Sequence, residues 1–379
     1  MEESPAMTAE IVVDLAAIRH NVRTLRELVA PAALMTVVKA DGYGHGMVEA
    51  ARAAREGGAD WLGVATVEEA LALRVAGDTG RLLCWLDVPG VRYAEAVAAD
   101  VDLTVYSTEE LTAVVAAAGA RVPRVQVKVD TGLTRGGAPR EDWPDLFAAL
   151  ADLERGGTIR VTGIWSHFAC SDEPAHPAND AQQAAFDEAL ALADRLGLHP
   201  EVRHLANSAA AILRSSARYD LVRCGIASYG LDPAPGVTPD LGLVPAMTAR
   251  AELALSKPVA AGAGVSYGHT WIADRATSVG LVPMGYGDGV PRHASNRAEA
   301  LLTGRRRPLR GRVCMDQFLV DLDGELPPPG TEVVLWGTGA DGGPTAQDWA
   351  EACDTISYEI VCRIGGRLSR RYVDERATR

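Results

Sequence analysis

The run TVVKADGYGHGM (residues 36–47) sets a lysine, an aspartate, a tyrosine, a histidine and three glycines directly behind an apolar, β-branched stretch. Leu34 to Val38 reads as a buried strand, because such side chains pack well on a pleated surface, and the glycines that follow break it. Lys39 therefore stands where a strand gives way to a loop. Taken alone, it is a lysine that lays its stem on apolar surface and carries its charge to water. Whether it does more depends on what the other strand ends bring to it.

The alternation of a short apolar run with a longer amphipathic one continues to about residue 230. LMTVVK precedes the helical MVEAARAAREGG. WLGVA precedes TVEEALALRVAG, where Thr66 is placed to cap and Glu68 and Glu69 suit the positive end of the helix dipole. RLLCWL, DLTVY, RVQVKVD, RVTGIWSHF, EVRHLANS and YDLVRCGIASYG complete eight strand-like segments with helices between most of them. This spacing predicts repeated βαβ units and an eight-stranded α/β (TIM-like) barrel. Beyond residue 242 short strands and turn signals take over, with a single helix expected near TAQDWAEACD (345–354). The expected division is a barrel domain over 1–241 and a mostly β C-terminal domain over 242–379.

Composition narrows the function. The chain has 379 residues, 47% hydrophobic, with a formal charge of −13 spread along its length, which points away from nucleic acid or an anionic membrane as partner. The basic run TGRRRPLRGR (303–312) lacks interleaved aromatics and reads as a hairpin flank. Six cysteines without CxxC spacing, an acidic start without an apolar signal segment, and no long apolar stretch fit a soluble, reduced, cytoplasmic protein. No histidine spacing indicates a metal, and no strand–GxSxG–helix pattern indicates a serine hydrolase.

In α/β barrels functional groups collect at the carboxyl ends of the strands. Here that rule selects Lys39, Lys128 with Asp130, His167, Asn207 with Ser208, and Arg223 with Gly225. Several buried cations together require an anion, so a ligand bearing phosphate or carboxylate is implied. Gly225 and Ile226 offer backbone N–H groups, and Ser208 opens a helix; both suit a phosphate, though each alone is also an ordinary turn or cap. His45 and His204 read as structural. A lysine at a strand end beside phosphate-binding groups is the arrangement that pyridoxal 5'-phosphate requires of its protein.

VVKADGYGHG, KVDTGLTRGG, WSHFACSDE, LANSAA, VRCGIASYG, GVSYGHTW, PMGYGDGVPR, CMDQF and TISYEIVCRIGGR resemble, in the same order and over essentially the whole chain, the motifs of the alanine racemases. The resemblance implies a pyridoxal-phosphate enzyme that interconverts L- and D-alanine by two bases and supplies D-alanine for peptidoglycan. It also implies a head-to-tail homodimer whose partner completes each site. Matched by motif, Lys39 would hold the cofactor and act as one base, with Tyr267 of the partner as the other. Tyr43, Asn207, Ser208, Gly225, Ile226 and Tyr358 would contact the cofactor, mainly its phosphate. Arg223 would face the pyridine nitrogen, supported by His167. Arg135 and the backbone of the partner's Met315 would bind the substrate carboxylate, with the partner's Tyr286 and Asp316 at the entrance.

Physical chemistry bears on these roles. Racemisation removes a proton from one face of Cα and returns one to the other, so a rigid site needs two bases. A tyrosine, with an ordinary pKa near 10, needs positive charge nearby to serve as one, and His167 and Arg223 are the expected sources. Lys128 beside Arg135 sets two cations together, at about 4 kcal/mol for a 4 Å separation at an effective dielectric near 20. Carbamylation of Lys128, which the resemblance implies, reverses that sign. A decarboxylase on a related barrel would want an acidic partner for the pyridine nitrogen, and a non-catalytic cofactor carrier would not need the second domain.

Overall fold

The computed structural model describes residues 8–86, 88 and 90–374. After a first strand, β1 (Ala9–Asp14), come β2 (Ala33–Val37), β3 (Trp61–Val64), β4 (Arg81–Cys84), β5 (Asp102–Val105), β6 (Arg124–Lys128), β7 (Arg160–Trp165), β8 (Val202–His204) and β9 (Leu221–Cys224). β2 to β9 are the eight segments expected from the sequence. They form one parallel sheet in the order β8-β7-β6-β5-β4-β3-β2-β9. The Asp220 N–H donates to the Arg203 carbonyl (3.1 Å) and the Arg223 N–H to the Ala206 carbonyl (3.0 Å), which brings the two edges together into a nearly closed barrel.

Strands covered on both faces read as continuous apolar runs, as WLGV in β3 does with all four residues buried. Met35, Trp61, Leu83 and Leu221 fill the interior, with Ala33, Trp85 and Val202 against them. The amino ends of the strands are sealed by charge. Asp102, fully buried, pairs with Arg81 and Arg124 at 2.9 Å each, so its carboxylate keeps the partners that burial demands. The opposite mouth, at the carboxyl ends, is left to other residues.

Among the described residues, the second unit comprises 8–17, Tyr43–Gly46 and 244–374. Its strands are β10 (Met247–Glu252), β11 (Leu255–Val259), β12 (Gly264–Val265), β13 (Trp271–Ile272), β14 (Thr277–Val282), β15 (Glu299–Leu302), β16 (Arg305–Pro308), β17 (Phe318–Asp321), β18 (Glu332–Trp336) and β19 (Ser369–Val373). A six-stranded sheet runs β16-β15-β18-β10-β1-β19, beside a β11-β14-β17 sheet and the β12–β13 hairpin. β1 belongs with this second unit rather than with the barrel. It is antiparallel to β10 and parallel to β19, and its Glu10 lies between Arg250 and Arg371. Burial alone would raise that carboxyl; the two guanidiniums outweigh it and hold it below its ordinary value.

Two expectations for this half meet the structure directly. TAQDWAEACD supplies the helix Ala346–Ala352, capped by Thr345, but it is not single: Ser357–Arg363 forms another, burying Ile360 and Val361. Seven residues are too short for a helical period to stand out in the sequence. The basic run forms the β15–β16 hairpin, and its charges are used internally, Arg307 with Glu325, Arg306 with Asp348 and Arg310 with Asp321. Among the described residues no helix is long and apolar enough to cross a membrane.

Candidate active site

Lys39 follows β2 at the carboxyl mouth of the barrel and opens a left-handed turn. Ala40 (φ 52°, ψ 52°), Asp41 (53°, 46°), Gly42 (64°, 40°) and Tyr43 (φ 54°) are consecutive members of it. Each non-glycine residue there costs about 1–2 kcal/mol relative to right-handed backbone. Glu69 holds the turn: its Oε1 accepts from the Ala40 N–H (2.8 Å), and its Oε2 accepts from Ala65 (2.8 Å) and Thr66 (3.2 Å). Thr66 Oγ1 accepts in return from the Glu69 N–H, so the helix cap expected from TVEEAL also braces the residue next to Lys39. Asp41 Oδ1 accepts from the Met47 N–H (2.9 Å), starting the next helix, Met47–Glu56.

Lys128 closes β6 at the same mouth, its ammonium 4.7 Å from the Trp165 ring centroid and 5.6 Å from that of Tyr106. Burial, then Arg223 and Arg135, push it down to about 8 against the opposing pull of Asp130. The loop carrying Arg135 is shaped by Asp130 Oδ1, which accepts from Gly132 (2.9 Å) and Thr134 (3.1 Å). It requires glycine at 137, where φ is +122° and a Cβ would lie 2.7 Å from the Val129 carbonyl carbon. Lys39, whose ammonium stands 5.7 Å from the Trp85 ring centroid, adds a further cation to this mouth.

Arg223, at the end of β9, is buried beneath these groups. Nη1 donates to His204 Nδ1 (3.0 Å) and the His204 carbonyl (3.2 Å); Nη2 donates to the Ser166 (2.7 Å) and Leu205 (3.1 Å) carbonyls and to His167 Nδ1 (3.2 Å). Burial lowers it to about 9, and it remains a cation at neutral pH. His167 lies well below its ordinary value, first through burial and then through Arg223, Arg135, Lys128 and Lys39. The expectation that His167 supplies positive charge is therefore corrected: it is neutral, and Nδ1 accepts, leaving the proton on Nε2. His204 is neutral for the same leading reason, and its Nε2 donates to Gln126 Oε1 (2.8 Å).

The loops after β8 and β9 meet beside Arg223. Asn207 Oδ1 caps the helix Ser208–Leu213 by accepting from Ala210 (3.1 Å) and also accepts from Ser171 Oγ (2.8 Å). The Gly225 N–H donates to Ser208 Oγ (3.0 Å), and Ile226 begins the short turn that follows. The structure thus brings together, within the barrel unit, the expected Lys39, Lys128, Arg135, His167 and Arg223 through their mutual fields, and Asn207, Ser208 and Gly225 through hydrogen bonds.

The remaining residues belong to the second unit. The rings of Tyr43 and Tyr358 lie 6.2 Å apart. The Tyr286 N–H donates to the Cys314 carbonyl (3.0 Å) and the Gly287 N–H to the Met315 carbonyl (2.8 Å), while Arg367 bridges Asp288 (2.8 Å) and Asp316 (2.5 Å). Tyr267, at the tip of the β12–β13 hairpin, borders a cavity of about 380 Å³ with His269, Cys314 and Phe318. Sequence reasoning missed Glu69, Trp165 and the part played by His204, whose ring stacks on Trp165 at 5.5 Å and 7°. Their only sequence signal was position: Glu69 in a capping box, Trp165 and His204 at the ends of β7 and β8.

Family models for the alanine racemase N-terminal and C-terminal domains match residues 13–233 and 246–372. The chain is 54% identical to an alanine racemase of Thermobifida fusca, covering 96% of this chain and 98% of that one. It is 53% identical to one of Streptomyces coelicolor, over 97% of each. The alanine racemase structure from a D-cycloserine-producing Streptomyces lavendulae superposes with a TM-score of 0.96 at 50% identity over 99% of each chain. That of E. faecalis superposes with a TM-score of 0.89 at 34% identity over 97% of this chain and 98% of that one. With both domain models matched in order and relatives of this identity spanning nearly its full length, the chain belongs to the alanine racemase family.

Proposed function

We propose that the protein interconverts L- and D-alanine with pyridoxal 5'-phosphate held at the barrel mouth. The observation that carries this reading is the charge balance there: Lys39, Lys128, Arg135 and Arg223 against Asp130, with both neighbouring imidazoles neutral. Such a site fits a phosphate ester together with an amino acid carboxylate. When bound, pyridoxal phosphate supplies an electron sink that acidifies the Cα–H of an amino acid.

Lys39 would hold the cofactor, and its Nζ would take or return the proton on one face of Cα. Tyr267 Oη of a second copy would serve the other face, in a head-to-tail homodimer. Arg223, held by several acceptors, cannot receive a proton from the pyridine nitrogen; it can only donate to it. Arg223 also supplies the positive charge that a tyrosine base needs, a task that neutral His167 cannot share. Ser208, Gly225, Ile226, Tyr43 and Tyr358 would hold the phosphate, and Asn207 would contact the cofactor. Arg135 and the Met315 backbone of the second copy would bind the substrate carboxylate, with that copy's Tyr286 and Asp316 at the entrance.

Lys128 would carry a carbamate. Its amine lone pair attacks CO₂, the C–O π pair moves to oxygen, and the nitrogen proton passes to water, leaving an anion beside Arg135 in place of a second cation. With an amine near 8, about a fifth of it is the neutral nucleophile at pH 7.4, against roughly a thousandth at the ordinary value. We place the enzyme in the cytoplasm, supplying D-alanine for peptidoglycan.

The test is Cα proton exchange in deuterated water across a panel of amino acids. Alanine exchanges and is retained as a racemate, while leucine is slower because Tyr286 and Tyr358 would stand as bulky groups at a narrow entrance. Loss of carboxylate as CO₂ from the substrate, or exchange without racemisation, defeats the proposal.

A further inference from the structure

We propose that Ser266 is a positioning residue that aims Tyr267 and registers it against the Met315–Asp316 segment; this inference rests on the reading of Tyr267 as the second base. Tyr267 stands on the β12–β13 hairpin, whose ladder is two pairs long, Gly264 with Ile272 and Val265 with Trp271. The tyrosine is 70% exposed, so packing within the chain does not orient its ring. Its direction comes from the backbone that enters it.

That backbone is unusual. Ser266 has φ 60° and ψ −170°, a region that glycine alone adopts readily and that other residues keep only where their surroundings over-determine it. Here the surroundings are visible. Ser266 Oγ donates to the Arg312 carbonyl (2.7 Å) and lies 3.4 Å from Cys314 Sγ. At Gly311, φ is +76°, and a Cβ would lie 2.5 Å from the Val265 carbonyl oxygen and 2.7 Å from Ser266 Cβ, so the two segments are pressed together where only glycine fits. On the far side of Tyr267 the Arg312 guanidinium lies against Gly268, where a Cβ would come within 2.9 Å of Nη1.

The hydroxyl bond therefore holds the ψ that sets the exit direction into Tyr267. It makes that bond to the same segment, 312–316, that carries Met315 and Asp316. One anchor thus fixes the proposed base relative to the backbone proposed to hold the substrate carboxylate. Serine supplies what this requires: a donor on a one-carbon arm, with no β-branch to clash at positive φ.

The experiment uses holoenzymes of Ser266→Ala, Ser266→Gly and Tyr267→Phe, each checked for cofactor absorbance and dimeric state. It measures Cα proton exchange in deuterated water from L- and from D-alanine separately, with kcat and KM. Tyr267→Phe identifies the enantiomer whose proton the tyrosine handles, by losing its exchange preferentially, roughly 10²- to 10⁴-fold. Both Ser266 variants are expected to reproduce that handedness, losing about tenfold or more for the same enantiomer, about threefold or less for the other, with KM for alanine changed by no more than about threefold. Equal losses for both enantiomers, a rise in KM at unchanged kcat, or wild-type exchange in both variants overturns the positioning role. If Tyr267→Phe shows no handed loss, the reading of Tyr267 fails first and takes the role of Ser266 with it. Ser266→Gly removes the Cβ that the strained backbone carries, so it supplies the result should Ser266→Ala fail to fold.

Discussion

Glu69 Oε1 accepts a hydrogen bond of 2.8 Å from the N–H of Ala40, the residue that follows Lys39. The same carboxylate caps the helix Val67–Val75 through Thr66. A device that starts a helix therefore also stabilises the left-handed turn on which the lysine depends. Glu69→Ala leaves three backbone donors short of a partner and should lower stability by about 2–3 kcal/mol, the sum of a lost cap and a half-buried unsatisfied N–H. Urea denaturation of the apoprotein measures this; a loss below about 0.5 kcal/mol would show that water replaces the carboxylate without cost.

Lys39→Ala removes both the tether and one base. The purified variant should lack the absorbance of lysine-bound cofactor and nearly all activity, and borohydride treatment should fix cofactor to no peptide. A reduced adduct on another lysine would move the anchor elsewhere.

Lys128 makes stability depend on pH in a defined window. Its ammonium is pulled down to about 8 in the folded chain, from an ordinary 10.5, so between these values the unfolded chain binds more protons and stability rises with pH. Below about 8 both states are protonated and the full penalty, about 3 kcal/mol, persists. In CO₂-free buffer, the stability advantage of Lys128→Met over the parent should shrink by about that amount from pH 7.5 to 10.5. Parallel curves for the two proteins would mean that Lys128 is not desolvated as a cation.

Carbon-13 bicarbonate offers an independent reading of the same side chain. The parent at pH 7.5 should show a carbamate carbon resonance that Lys128→Met lacks. Its presence in both would assign the carbamate to another amine.

Whether sites are shared between chains is tested by mixing two inactive variants, Lys39→Ala and Tyr267→Ala. After full subunit exchange at equal concentration about half the dimers are mixed, and one of the two sites in each combines an intact Lys39 with an intact Tyr267. Recovery should approach roughly a quarter of wild-type sites. No recovery with exchange proven, for example by mass-tagged subunits, would assign Tyr267, Tyr286, Met315 and Asp316 to their own chain.

The sequence alone determined the barrel strands and the residues at their carboxyl ends. β2 to β9 were legible because strands covered on both faces demand unbroken apolar runs, such as WLGV and RLLC. Lys39, Lys128, His167 and Arg223 were legible because they interrupt that pattern at its ends. Tertiary structure alone decided that β1 joins β10 and β19, since strand partnership is made across some 240 to 360 residues of chain that no local period reports. It alone decided that His167 is neutral, because its protonation is set by burial and by four cations in or after three different strands, β2, β6 and β9. The same holds for Glu69 and Ser266. A carboxylate in a capping box and a serine before a tyrosine are ordinary in sequence; what distinguishes them is the distant backbone groups, Ala40 N–H and the Arg312 carbonyl, that folding brings within 3 Å.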